Sequence, residues 1–308
     1  MDKILVTGGA GFIGSHVVTE LLGRGFSVVV LDDFSTGKLE NLPCENEFLR
    51  IINGSILDKQ KVTEGLRDCR ALIHLAAVAS VQASVDDPQA SHRVNFDGTL
   101  LLLEEARKAG VKRFLFASSA AVYGDAAQGA VSENSPVSPL TPYAVDKLTS
   151  EFYLGFYRRS FGINFTAFRF FNVYGPKQDP SSPYSGVISI FISNFVAGKP
   201  VTFFGDGMQS RDFVFVKDLS KILIDSIDNP KTFDQTINIG TGKSISLLEI
   251  ATNLAVILER EIEYKYDIAR VGDIRHSMAN VTLLHSLYAD SANTPIQDGL
   301  RMTVEEIL

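Results

Sequence analysis

The opening residues set a pattern that repeats down the chain. Ile4-Leu5-Val6 is a short apolar run with no polar alternation, and a glycine-rich turn and a helical stretch over about 11–24 follow it. Similar runs at 28–31, 48–52, 71–75, 113–117 and 164–170 predict further strands, and helical spacing predicts long helices over 89–109 and 142–158. Strands that are apolar at every position are buried on both faces, as in a sheet covered by helices on each side. Strands alternating with helices predict an α/β protein built on a doubly wound parallel sheet.

After about residue 175 the texture changes. Pro176, Pro180, Pro183 and Pro200 mark loops, and the elements between them are shorter. Helices near 187–197 and 246–258 and strands at 201–204 and 261–264 read as a smaller α/β lobe. The expected division is 1–175 for the sheet domain and 176–308 mainly for the lobe. Segments near 211–240, with 213–216 and 236–239 as strands, return to the sheet. No internal repeat or low-complexity tract is visible.

Composition narrows the classes. Of 308 residues, 45% are hydrophobic and 21% charged, which fits a soluble globular chain and excludes disordered or collagen-like sequences. No stretch approaches the roughly 20 apolar residues of a membrane span. The apolar run after Met1 is too short for a signal peptide. A net charge of −7 opposes binding to nucleic acid or an anionic membrane. Cys44 and Cys69 stand in no metal or redox spacing, and His16, His74, His92, His276 and His285 form no ligand pair. The expectation is a reduced, cytoplasmic protein without a metal.

The candidate chemistry begins in the first turn. Thr7-Gly8-Gly9-Ala10-Gly11-Phe12-Ile13-Gly14 leaves the first strand and opens the first helix. Glycines 8, 11 and 14 permit a tight turn, close approach to a pyrophosphate and tight helix-strand packing. Amides at the helix start then face the anion. In this context the loop predicts a Rossmann-type dinucleotide site. Asp32 ends the second strand 18 residues after Gly14, where a carboxylate accepts from ribose hydroxyls and repels a 2′-phosphate. That favours NAD, although Asp32 or Asp33 as a turn cap, and Lys38 as a 2′-phosphate partner, remain open readings.

Tyr143 and Lys147 stand four apart in a helical segment opened by Thr141-Pro142, which puts them on one face. An ammonium beside a phenol favours the phenolate, a base able to take a proton from a sugar hydroxyl. Ser119, 24 residues upstream at the carboxyl end of a strand, can orient the reacting oxygen. A helix cap or turn is the alternative role for such a serine.

The Gly8/Gly11/Gly14 spacing resembles the extended short-chain dehydrogenases/reductases. The assembled series resembles the nucleotide-sugar epimerase/dehydratase family, within it the UDP-glucose 4-epimerase branch. The series includes His74-Leu75-Ala76-Ala77, Asn95 in Val94-Asn95-Phe96-Asp97-Gly98-Thr99, and Arg169-Phe170-Phe171-Asn172-Val173-Tyr174-Gly175-Pro176. It continues with Gly205-Asp206-Gly207, Arg211-Asp212-Phe213 and Arg270-Val271-Gly272-Asp273. The likeness covers essentially the whole chain.

What the resemblance implies is specific. NAD stays bound, Tyr143 takes the proton of the sugar 4-hydroxyl as hydride leaves C4, and hydride returns to the other face of the 4-keto sugar. Lys147 lowers the tyrosine pKa and holds ribose, while Ser119, with Ser118, orients the sugar. NAD contacts fall to the glycine loop with Phe12 and Ile13, and to Asp32, Ser35, Thr36 and Gly37. Others fall to Ser55, Ile56, Leu75, Ala76, Ala77 and Asn95. UDP contacts fall to Arg211 and Arg270 at the diphosphate, with Asn172 beside them. Asp273 falls at the uridine ribose and Phe204 at uracil. Helices 89–109 and 142–158 pair into a four-helix bundle, implying a homodimer.

Departures refine the reading. Dehydratases of the family carry an acidic pair after the serine, and decarboxylases a glutamate before Val-Tyr-Gly. Here Ala120 and Ala121 stand there and supply neither acid nor base. Ser55-Ile56 replaces the frequent Asp-Ile near adenine. The position seven residues after Arg270, a bulky Tyr in epimerases restricted to UDP-glucose/galactose, is Ser277. A small side chain there leaves room for an acetamido group, so UDP-GlcNAc/UDP-GalNAc interconversion beside UDP-Glc/UDP-Gal is expected. The rival expectations are a UDP-glucuronate 4-epimerase, an NAD(P)-dependent 4-reductase, and, from another class, a non-catalytic NAD sensor.

Overall fold

The computed structural model describes residues 2–125, 129–180, 186–261, 263–268, 275–288 and 294–307. In chain order the first half runs β1 (Lys3–Thr7), α1 (Phe12–Gly23), β2 (Ser27–Asp32), β3 (Leu49–Asn53), α2 (Lys59–Leu66) and β4 (Cys69–His74). Next come α3 (Val81–Asp86), α4 (Pro88–His92), a π turn (Arg93–Asp97) and α5 (Gly98–Ala109). Then follow β5 (Arg113–Ser119), β6 (Ala130–Val131), α6 (Pro142–Phe161), β7 (Asn164–Phe170) and β8 (Asn172–Tyr174). The second half continues with α7 (Val187–Val196), β9 (Val201–Phe204), β10 (Ser210–Phe215), α8 (Val216–Asp228), β11 (Gln235–Ile239), β12 (Ser244–Ser246) and α9 (Leu247–Leu258). It ends with β13 (Tyr264–Asp267), β14 (Met278–Ala279), α10 (Thr282–Leu287) and α11 (Ile296–Ile307). Among the described residues no helix is long and apolar enough to cross a membrane.

Two compact units divide these elements. The first comprises Met1–Gly124, Val137–Arg169 and Ser220–Ile237; the second comprises Asp125–Pro136, Phe170–Leu219 and Asn238–Leu308.

A seven-stranded sheet of order β3-β2-β1-β4-β5-β7-β11 defines the first unit. The pairs from β3 through β5 are parallel. Ile4, Leu5 and Val6 are completely buried, as are Val28, Val30 and Leu31. That is the burial on both faces their unbroken apolar runs require, and each such side chain contributes about 2 kcal/mol. Strand order reverses between β1 and β4, so their carboxyl ends open a crevice where doubly wound sheets bind ligands. One core cluster joins Leu5, Leu72, Phe114 and Phe116 of the sheet to Leu102, Leu103 and Ala106 of α5 and to Leu154 and Tyr157 of α6.

The segment that returns late in the chain is tied in by a buried arginine. Arg113 Nη2 on β5 lies 2.6 Å from Thr166 Oγ1, 2.7 Å from the Ser226 carbonyl and 3.0 Å from Thr232 Oγ1. The expected return near 211–240 is therefore corrected at its start. Residues 213–216 do not rejoin the large sheet: β10 pairs parallel with β8 and antiparallel with β12. Only β11 rejoins it. Alternation alone cannot tell which sheet a short strand enters.

The helix expected over 89–109 is also corrected, because the π turn interrupts it. The wider turn accommodates a buried Asn95 whose carbonyl accepts the Thr99 hydroxyl at 2.7 Å. Such turns often mark functional segments.

The second unit packs Tyr174, Phe191, Phe203, Phe213 and Phe215 with Leu254 of α9 and Leu300 of α11. Two small parallel pairings, β9 with β13 and β6 with β14, complete its strands. Ser246 caps α9 by accepting from the Glu249 amide while Glu249 accepts from the Ser246 amide, a reciprocal box that fixes where the helix starts.

Candidate active site

The loop between β1 and α1 is shaped by backbone contact. Gly8 has φ +69°, and a Cβ there would lie 2.7 Å from the Ala76 amide nitrogen. The turn after β1 and the turn after β4 therefore touch main chain to main chain. A Cβ on Gly14 would lie 2.0 Å from the Gly8 carbonyl oxygen, so only glycine lets α1 approach its own loop this closely. Gly11 occupies the cap position of α1 and supplies no side-chain acceptor. Phe12, Ile13 and Gly14 start a helix whose first turn contains no acidic residue, leaving its amides and dipole for an anion. This cradle fits the pyrophosphate of a dinucleotide.

Asp32 is buried at the end of β2. Its carboxylate accepts from the Ala10 amide and the Phe34 amide, each at 2.9 Å. Burial raises its pKa, against the lowering effect of these two amides. The turn-cap role and the ribose-facing position coincide, since a carboxylate oxygen has more than one lone pair. Gly37 lies tight against Ala10 and Asp32, while Ser35 donates to Asp33 and Thr36 is exposed beside it. Ser55 accepts from the Leu57 amide, and the Ile56 side chain belongs to the core cluster.

Behind Leu75, Ala76 and Ala77 runs a buried polar chain. Thr99 donates to the Asn95 carbonyl, so His74 Nε2 donates to Thr99 at 2.9 Å, and His74 Nδ1 accepts from Thr7 at 2.7 Å. His74 is neutral, its pKa pushed well down by burial. Asn95, expected at the cofactor, also braces the loop after β4. Its oxygen accepts from the Val78 amide, and its nitrogen donates to the Val78 carbonyl and to Ser91.

Ser119, Tyr143 and Lys147 come together in the first unit. Ser119 ends β5 and accepts from the Ala121 amide at 3.1 Å, and it stands close enough to Tyr143 to lower that phenol's pKa. Ser119 thus holds the cap role and stands beside Tyr143 as well. α6 begins at Thr141, whose hydroxyl accepts from the Ala144 amide, and at Pro142, preset for a first helical turn. The Tyr143 amide donates to Ser84 Oγ at 3.2 Å. Lys147 is 2% exposed, with its ammonium 4.8 Å from the Phe116 ring centre and 5.7 Å from that of Tyr143. Burial raises the Tyr143 pKa, partly offset by Ser119, and lowers that of Lys147 to about 8.

One supporting network has no counterpart in the sequence reading. Glu151, one turn beyond Lys147, accepts from Arg169 Nε at 3.0 Å and Nη2 at 2.7 Å. Arg169 Nη1 donates to the Tyr123 hydroxyl at 3.0 Å. Ser118 Oγ, expected at the sugar, donates to Glu151 at 2.5 Å. The i, i+4, i+8 spacing of Tyr143, Lys147 and Glu151 was the available signal.

In the second unit, Asn172 is exposed on β8 in register with Phe213 of β10. Arg211 is half-buried on β10, its Nη1 donating to the Ser210 and Arg275 carbonyls. The Ser277 amide donates to the Ser210 carbonyl at 3.1 Å, which brings Ser277 alongside Arg211's strand. Phe204 ends β9, half-buried, opposite Asp267. Arg270 and Asp273 lie outside the described residues. The missed residue here is Asp212, completely buried, whose carboxylate accepts from the Thr241 amide and hydroxyl and from the Gly242 and Ala279 amides. It sits in the Arg-Asp-Phe motif and anchors the strand next to Ser277.

A doubly wound sheet with an uncapped glycine loop, a ribose-side carboxylate and a Ser/Tyr/Lys set defines an NAD-dependent enzyme of the short-chain dehydrogenase/reductase type. Residues 4–240 match the family described as "NAD dependent epimerase/dehydratase family", and the chain belongs to it. A UDP-glucose 4-epimerase of Mycolicibacterium smegmatis is 38% identical over 308 residues, covering 98% of this chain and 97% of that protein. The UDP-N-acetylglucosamine 4-epimerase of Methanobrevibacter ruminantium, solved with UDP-N-acetylmuramic acid, superposes with TM-score 0.95 at 37% identity over 99% of this chain and 98% of the other. The Thermus thermophilus UDP-glucose 4-epimerase, solved with NAD, gives TM-score 0.89 at 35% identity, covering 99% of this chain and 98% of the other.

Proposed function

We propose that this chain is a UDP-sugar 4-epimerase that interconverts UDP-GlcNAc and UDP-GalNAc as well as UDP-Glc and UDP-Gal. The observation that carries the reaction type is the convergence of Ser119, Tyr143 and a buried Lys147, with only methyl groups at Ala120 and Ala121. The set moves one proton at a hydroxyl oxygen and offers no second acid or base for elimination. NAD, when bound, supplies the hydride acceptor and donor at C4. Tyr143 takes the 4-hydroxyl proton as that carbon is oxidised and returns it after the sugar turns over. Ser119 holds the oxygen in line, and the Lys147 ammonium favours the Tyr143 phenolate. Gly11, Phe12 and Ile13 hold the pyrophosphate through amides, and Asp32 holds a ribose hydroxyl.

Ser277 supports the acetamido substrate, and the likeness to a UDP-N-acetylglucosamine 4-epimerase is in keeping with it. Arg211 grips the diphosphate, where a planar guanidinium suits paired phosphate oxygens. Incubating the pure protein with UDP-GlcNAc, UDP-Glc and UDP-glucuronate separately tests the reading by product analysis. Both of the first two convert; conversion of UDP-glucuronate alone replaces it. Ser277→Tyr is expected to lower kcat/KM for UDP-GlcNAc by at least about tenfold and to leave UDP-Glc within about threefold, since crowding penalises only the larger substrate. Equal losses on both substrates defeat the assignment of Ser277.

The working unit is a homodimer. Val145, Phe152 and Phe156 expose a continuous apolar face on α6, with Phe96 stacked edge-on to Tyr153 beside it. Such a stripe on a 20-residue helix matches a four-helix bundle seam. Sedimentation of the wild type at twice the chain mass, and of Phe152→Glu/Phe156→Glu at the chain mass, is the expected pair of results.

A further inference from the structure

Asp146 occupies an unusual place beside the catalytic lysine. It is 3% exposed, and its Oδ1 accepts from His92 Nδ1 at 2.6 Å. Its Oδ2 is buried and has no hydrogen-bond partner among the described residues. A sealed carboxylate oxygen left unsatisfied is destabilising and calls for a reason. Lys147 is next in the chain and equally buried, yet makes no ion pair within 4.0 Å among the described residues. Its ammonium faces the rings of Phe116 and Tyr143. A carboxylate and an ammonium, adjacent in sequence, are thus both buried in one turn of α6.

We propose that Asp146, held by His92, is a positioning residue that keeps the Lys147 ammonium protonated for its work on Tyr143. This rests on the epimerase reading for its kinetic consequence and not for its electrostatics. Burial lowers Lys147 to about 8 even with the charge of Asp146 opposing the fall. Burial also raises the Asp146 carboxyl, and the His92 hydrogen bond opposes that rise first, followed by the charges of His92 and Lys147. The other charged group acting on Asp146 is Asp97, at the end of the π turn, which raises it further. From β4, His74 faces Lys147 as a neutral ring and adds no charge. At Tyr143 itself, burial raises the pKa and Ser119 opposes the rise. His92 stacks on Phe96, with ring centres 5.2 Å apart, and is half exposed, so the pair is anchored from outside while the carboxylate stays dry.

The sign follows. Without the carboxylate, Lys147 loses its proton at lower pH, and the pair shifts toward neutral lysine and un-ionised tyrosine. Asp146→Asn is expected to move the alkaline limb of the kcat profile down by about one pH unit. Near pH 8 that is a roughly fivefold loss in kcat, with KM for the UDP-sugar within about twofold. His92→Leu, a change at a half-exposed ring, moves the limb in the same direction by less. Tyrosinate formation at Tyr143, followed by ultraviolet difference against the matching Tyr143→Phe protein, shifts to higher pH in Asp146→Asn. A folded Asp146→Asn with unmoved limb and unmoved tyrosinate titration overturns the proposal. If Asp146→Asn does not fold, an unmoved limb in His92→Leu does so. If the wild type epimerises no UDP-sugar, the function reading fails, and the tyrosinate titration alone decides the role of Asp146.

Discussion

Tyr143→Phe is expected to lower kcat for UDP-sugar epimerisation by about 10³-fold, within the range that a positioned acid-base group contributes. The substitution removes one oxygen and leaves the ring that lies 5.7 Å from the Lys147 ammonium. Ser119 still accepts from the Ala121 amide, so the turn after β5 keeps its shape. What disappears is the phenol oxygen, the proposed acceptor of the sugar proton. The loss is therefore expected in kcat, with the thermal midpoint and NAD content of the purified protein near wild type. Coupled assay of product formation checks the rate, and retention of NAD through gel filtration checks the site. A variant that epimerises at the full rate removes Tyr143 from the chemistry.

Glu151→Ala is expected to act on stability instead. Glu151 and Arg169 side chains are 8% and 7% exposed, and the carboxylate takes both Nε and Nη2 of the guanidinium. Arginine stays protonated, so removing Glu151 leaves a buried charge without its carboxylate. Breaking one side of a buried pair destabilises by about 3–5 kcal/mol. For a chain of this size that lowers the thermal midpoint by roughly 5–8 °C. Ser118 loses its acceptor at the same time. Differential scanning fluorimetry checks the midpoint; a shift under about 2 °C shows that the pair is not what fixes α6 against β5 and β7.

These two sites show what the sequence made legible. The glycine loop, Asp32, Ser119, Tyr143 and Lys147 could be read because each depends on local order: a strand end, a turn, or four residues of one helix. Glu151 and Asp212 could not, because their partners lie 18 and 67 residues away at the far ends of their bonds. Asn95 and Ser118 stand in motif positions, but only the packed structure shows that their polar atoms bond within the protein. The same limit explains β10. Its apolar run is plain in the sequence, while its choice of β8 and β12 over the large sheet rests on long-range pairing. The break in helix 89–109 was hidden because a π turn preserves helical spacing closely enough to pass for one continuous pattern.

That π turn has a geometric consequence. Each residue of an α-helix advances about 100° around the axis, so one residue absorbed by a wide turn changes the phase of everything after it. Upstream of the turn, His92 points at Asp146 of α6. Inside and just after it, Asn95 and Thr99 point at the loop after β4 and at His74. A strictly periodic helix would have to choose between aiming at the lysine-bearing helix and bracing the cofactor-side loop. The phase slip lets one rod serve two bearings, and removing a single residue between positions 93 and 97 would turn one of them away while leaving the composition of the helix almost untouched.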